Sequence, residues 1–244
     1  MRQARPAAAR NSSVQKMFDN IFQDEVSSSQ RSADMPYTPE HKQRTREKIV
    51  ESARVLFNRH GFEQVSIDDV MKGAGLTRGG FYKHFASKDE LYAAAVQSFT
   101  TCNPFAKRLS SSPDPRRTPR DLARLLIDIY LSDETLADVD QHCPLIALPS
   151  DVARAGLVPR ASYTSLVESM AHVFRAALPE RDRSAEEKAL LIVSLCVGGM
   201  VIARTTDDPK LQKQLRAASR AQALAILSAP TPRRPARRAR VAGR

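Results

Sequence analysis

The chain has 244 residues, enough for one well-packed domain or a small domain joined to a larger one, and its 42% apolar content excludes a mostly disordered protein. The formal charge of +11 favours a polyanionic partner, but six of those charges lie in an acid-free tail (Arg233, Arg234, Arg237, Arg238, Arg240, Arg244), which leaves +5 on the rest and puts the weight on local pattern. Cys102, Cys143 and Cys196 form no metal or disulfide pattern, residues 1–30 lack a signal-peptide core, and the longest uncharged apolar run (189–203) is shorter than the ~20 residues of a membrane span, so a cytoplasmic protein without cofactor or metal is expected.

Residues 1–36 are rich in Ser, Ala, Arg and Gln and read as a disordered arm. Met35 stands just before the first strong helix signal, so residues 1–34 are not counted on as part of the native product. Thr38 and Pro39 then form an N-cap followed by Pro at the first helical position, and Ile49, Ala53, Leu56 and Phe57 fall on one helical face that Gly61 ends. Ser66 is expected to cap a second, short helix with Asp68 and Asp69 in its first turn, and Gly75 breaks it. Thr77 is expected to cap a third helix through about Phe85, and Ser87 a fourth. Pro104, Pro113, Pro115 and Pro119 mark a loop, after which helices are expected at 119–132, 144–155, 159–178, 184–205 and 208–228. No stretch alternates at period two, so the fold class is all-α. The organisation expected is an arm over 1–36, a helix-turn-helix unit over 37–90, a larger helical domain over 91–228 and a basic disordered tail over 229–244.

The informative stretch is SIDDVMKGAGLTRGGFYKHFASK, residues 66–88. Two short helices flank a turn at Gly75, a spacing that lets the second lie in a DNA major groove while the first crosses the backbone. Phe81 and Phe85, four apart, bury one face and leave Thr77, Arg78, Gly79, Gly80, Lys83 and His84 on the other. No acid occurs between Val70 and Lys88, while Lys72, Arg78, Lys83 and Lys88 are basic. Glycines at 79 and 80 cost a helix about 1 kcal/mol each, which suggests close approach of the backbone to a partner. A small three-helix packing unit without DNA is the competing reading.

The run ARVLFNRHGFEQVSIDDVMKGAGLTRGGFYKHFASKDEL resembles the N-terminal domain of the TetR/AcrR family of bacterial transcriptional regulators. The resemblance covers about 55 residues, from Thr45 to Phe99. It implies contacts to base edges or the groove from Thr77, Arg78, Gly79 and Gly80, to phosphates from Tyr82, His84 and Lys88, and to backbone or base from Lys83. Ser66 and Ile67, with Arg44 and Thr45, would approach flanking phosphates. Tyr82 and His84 each keep a second reading as structural residues. Beyond residue 110 the resemblance is architectural and implies a helical domain that binds a small effector and dimerises through its last two helices. HCPLIALPSDVAR resembles the start of a helix in one subgroup, although Pro149 disturbs its path.

Tyr130, Leu145, Ile146, Leu148, Tyr163, Leu166, Met170 and Phe174 could line an apolar cavity, with Asp140 and His142 as a polar end. The run 189–203, with Gly198 and Gly199, and a seam of Leu211, Leu215, Ala218 and Ala225 suit a homodimer. The expected function is therefore a repressor that binds double-stranded operator DNA and is released by a small apolar or aromatic effector. Two alternatives stay open: a redox-responsive regulator using Cys143, placed before a helix start beside His142, and a helical small-molecule-binding protein without specific DNA binding. The five scattered histidines (41, 60, 84, 142, 172) form no catalytic set, so no enzyme is expected.

Overall fold

A computed structural model describes residues 38–101 and 117–229. The expected arm, Cys102, the prolines at 104, 113 and 115, and the tail from 230 lie outside the described residues. Within them the chain is helical and forms no strand.

Helix α1 (Pro39–Gln64) starts as its sequence dictates, with the Thr38 hydroxyl accepting from the His41 N–H at 3.3 Å. Gly61 does not end it but kinks it at φ +76°, and the helix resumes to Gln64. Helix α2 (Ile67–Gly73) opens on a complete capping box: the Ser66 hydroxyl accepts from the Asp69 N–H, and the Asp69 carboxylate accepts from the Ser66 N–H. Gly75, at φ +71°, turns the chain, and the Leu76 N–H donates to the Met71 carbonyl at 2.8 Å. The third element is a 3₁₀ helix, Arg78–Lys83, rather than the α-helix expected, and the Thr77 side chain makes no cap bond. Paired glycines are poor α-formers, and the segment is fixed instead by burial of Phe81 and Phe85, stacked with ring centroids 5.8 Å apart. Helix α3 (Lys88–Thr101) starts with the Ser87 hydroxyl accepting from the Glu90 N–H, and the expected division at residue 90 falls inside it.

Helix α4 (Pro119–Tyr130) begins with a second capping box, Thr118 with Asp121, and starts at Pro119, where the helix over 119–132 was expected to start. Two short elements that the sequence reading left out follow, α5 (Asp133–Ala137) and a 3₁₀ turn (Val139–Gln141). The single helix expected over 144–155 is two, α6 (Pro144–Ala147) and α7 (Pro149–Arg154), joined at Leu148 with φ −124° and ψ 17°. Pro149 cannot donate to a preceding carbonyl and disfavours helical backbone at Leu148, which is the physical reason for the break. Three long helices complete the fold: α8 (Leu157–Ala177), α9 (Ala185–Arg204) and α10 (Pro209–Ser228). Helices α9 and α10 pack so closely at Gly199 that a Cβ there would collide with Ser219. Gly199 therefore serves the fold of one chain, whereas a Cβ at Gly198 would meet open space. Arg216, buried on α10, ties back by donating to the Leu131 carbonyl at 3.0 Å and to Asp133. No helix among the described residues is long and apolar enough to cross a membrane.

Candidate nucleic-acid interface

The N-terminal unit is organised by a core of Ile49, Ala53, Phe57, Val70, Met71, Phe81, Phe85 and Leu91, all buried. Each such aromatic or branched side chain contributes about 1.5–3 kcal/mol by burial, which holds the short 3₁₀ segment against α1 and α2. With Phe81 and Phe85 directed inward, Thr77, Arg78, Gly79, Tyr82 and Lys83 are exposed, and Gly80 and His84 are partly buried. Tyr82 is 63% exposed with its ring edge-on to Phe81, which removes the reading of it as a core residue. A Cβ at Gly79 would meet nothing within 4 Å, and at Gly80 only Met71 at 3.5 Å, so the fold itself does not require glycine at 79.

Other candidate residues are engaged inside the chain. Arg78 pairs with Asp68 at 2.8 Å, both exposed, so the acid next to the patch reaches into it. The Ser66 hydroxyl belongs to the capping box, Ile67 packs on the core, and the Thr45 hydroxyl donates to the His41 carbonyl. Arg44 is exposed. The Lys88 ammonium lies over the Phe62 ring at 4.2 Å and donates to the Phe62 carbonyl at 2.5 Å, where it braces the end of α1. The Nδ1 of His84 is buried without a partner, and burial, reinforced by Lys42, Arg46 and Lys83, holds its pKa below the ordinary value. Lys42 and Arg46 thus belong to this positive surface. The sequence reading missed them because they stand 24 and 20 residues before Ser66, where the motif begins, and only the fold brings them alongside.

A second missed feature joins the N-terminal unit to the rest. Arg54 and Asn58, one turn apart, sit buried on α1 beside Ala53 and Phe57. Arg54 donates to the Asp140 carbonyl at 2.6 Å, and Asn58 donates to the carbonyls of Asp140 (3.1 Å) and His142 (3.0 Å). The Asp140 carboxylate, expected to face a ligand, is instead held by Arg59 through two 2.5 Å bonds, which lower its pKa. Residues 139–142 therefore form a polar strap on α1.

Of the expected effector residues, Tyr130, Leu145, Ile146, Leu166, Met170 and Phe174 are buried together with Leu148, and Tyr163, partly buried, donates to the Leu145 carbonyl at 3.1 Å. Cys143 is buried beside Tyr130, and burial pushes its thiol up to about 12. The expectation of a thiol activated by a helix start is corrected: α6 is four residues long, and desolvation outweighs it.

Comparison with known proteins bears on this surface most directly. Residues 49–95 match the family described as bacterial regulatory proteins, tetR family. YfiR of Bacillus subtilis, an uncharacterized HTH-type transcriptional regulator, is 36% identical over 61 residues, which are 25% of this chain and 30% of that protein. The chain thus spans less than a third of that relative. YxaF of the same organism, also an uncharacterized HTH-type transcriptional regulator, is 25% identical over 169 residues, 67% of this chain and 87% of that one. The crystal structure of a TetR-family regulator from Cytophaga hutchinsonii superposes with a TM-score of 0.62 at 17% identity, covering 81% of this chain and all of that one, which speaks for the fold.

Proposed function

We propose that the chain is a member of the TetR/AcrR family of bacterial transcriptional regulators, a reading supported by the family match over residues 49–95, and that it is a dimeric repressor that binds operator DNA through the 3₁₀ segment and releases it on binding a small effector. The observation that carries the reading is the surface over Thr77–Lys83: side chains that bond bases or phosphates stand exposed, anchored from beneath by Phe81 and Phe85, with no acid in the sequence from Met71 to Ser87. Thr77, Arg78, Gly79 and Gly80 would face the groove floor, with Tyr82, Lys83 and His84 on phosphates and Arg44, Thr45, Ser66 and Ile67 toward the flanks. Lys88 would act by holding Phe62 rather than by touching DNA.

The effector would occupy the apolar region lined by Tyr130, Leu145, Ile146, Tyr163, Leu166, Met170 and Phe174, next to the strap on α1. Movement there would shift α1 and change the separation of two DNA-binding units, whose half-sites have a fixed spacing. The second copy would pack on α9 and α10, where Leu190, Leu191, Ile202 and Leu211 are 46%, 47%, 55% and 41% exposed. Selection of duplexes from a randomised pool, followed by a salt series on the winner, tests the function. Enrichment of a two-fold symmetric sequence is expected. A pool that yields no sequence above non-specific affinity removes the reading.

A further inference from the structure

Two polar groups in the regulatory half lack the partners their chemistry requires. Arg204, at the end of α9, is partly buried, and its Nη1 donates to the Ile146 carbonyl at 3.2 Å. Among the described residues no carboxylate lies within 4 Å of its guanidinium. The two fully buried arginines differ: Arg54 pairs with Glu51, and Arg216 with Asp133. Burial without a counter-ion lowers the pKa of Arg204.

The second group is His142, only 1% exposed. Its Nε2 lies 2.6 Å from the Thr135 carbonyl, which can only accept, so in the neutral ring Nε2 carries the hydrogen and Nδ1 is a bare acceptor. That Nδ1 is buried and has no donor. The charge of Arg204 reaches this ring, and the two flank α6: His142 precedes it by two residues, while Arg204 is bonded to its Ile146. An acceptor without a donor and a cation without an anion thus border the apolar region proposed for the effector.

We propose that Arg204 and the Nδ1 of His142 are the polar end of that site and select a small hydroxy acid, its carboxylate on Arg204, its hydroxyl donating to His142, and its apolar body against Ile146 and Tyr163. The inference rests on the ligand-responsive reading and narrows it to a chemical class. An amine would be repelled by Arg204, a plain carboxylate would leave Nδ1 without a donor, and a phosphate dianion would find one cation. His142 also belongs to the strap, since its carbonyl accepts from Asn58, so a ligand holding the ring acts on the segment bonded to α1.

Calorimetric titration of the full chain with 2-, 3- and 4-hydroxybenzoate, benzoate and the corresponding hydroxybenzamides tests the assignment. At least one hydroxybenzoate should bind about tenfold or more tightly than both its amide and benzoate, as expected for a charge-assisted bond plus a satisfied acceptor. Arg204→Gln should abolish the preference for acid over amide, and Arg204→Lys should retain part of it. Circular dichroism and operator binding without ligand establish that each variant is folded, and Arg204→Lys decides the matter if Arg204→Gln is not. Equal binding of acid and amide, no binding of any acid, or an undiminished acid preference in the folded variants overturns the proposal. Operator release by a neutral amide would end this assignment while leaving ligand-responsive repression intact, whereas failure to bind any operator would strike the functional reading itself.

Discussion

Arg78 faces a choice between two partners. Its exposed pair with Asp68 is worth under about 1 kcal/mol, whereas a bidentate bond to a base is worth about 1–3 kcal/mol, so DNA would draw the side chain away from the acid. Arg78→Ala should therefore weaken binding to a selected operator by about 1–3 kcal/mol in fluorescence anisotropy, and unchanged affinity would take Arg78 off the groove floor. Lys88→Ala should behave differently. The loss of its bond to the Phe62 carbonyl should lower the melting temperature while the slope of log affinity against log salt holds. A slope reduced by about one would instead put Lys88 on a phosphate. His142 makes a pH prediction: burial depresses its pKa in the folded chain, so the unfolded chain binds more protons below about pH 6.5. Its contribution to stability is present above that pH and is lost as pH falls through the depressed folded value. His142→Gln should flatten the fall in melting temperature between pH 7.5 and 5, beyond what His84, depressed in the same sense, leaves in place.

Single elements divide into those decided locally and those decided by packing. The Ser66 cap was legible, because Ser or Thr three residues before an acid satisfies the same backbone groups wherever it occurs, while the Thr118–Asp121 box of the same local kind went unread. The break at Leu148 was half legible, since Pro149 announced a disturbance but not two helices. The 3₁₀ form of Arg78–Lys83 was not legible, because Phe81 and Phe85 set it through a core assembled from α1 and α2. The strap was also hidden: it joins residues 82–87 positions apart, and nothing near Arg54 or Asn58 announces their acceptors. The two glycines of the motif should part company on this basis. Gly75→Ala puts a Cβ at φ +71° and should destabilise the chain by about 1–2 kcal/mol in denaturant unfolding. Gly79→Ala meets nothing inside the chain, so stability should hold or rise while operator affinity falls. If both properties are unchanged, Gly79 makes no close approach to DNA.

For the whole molecule, the exposed apolar stripe of α9 would carry the proposed dimer. Leu191 and Ile202 share a face that Gly198 leaves open, Leu190 is exposed to one side of it, and α10 presents Leu211, Ala218 and Ala225. The double substitution Leu191→Glu with Ile202→Glu should give a folded monomer in sedimentation and a large loss of operator affinity, because one unit then holds one half-site. A variant that still sediments as a dimer would place the interface elsewhere. The strap on α1 also limits how such proteins can be recombined. A hybrid carrying residues 38–101 on a foreign regulatory half would bury Arg54 and Asn58 opposite strangers, without the carbonyls of residues 140 and 142. Grafting only the short stretch from Ser66 to His84 would spare that boundary, so under the proposed function operator choice would transplant more readily than the response to a signal.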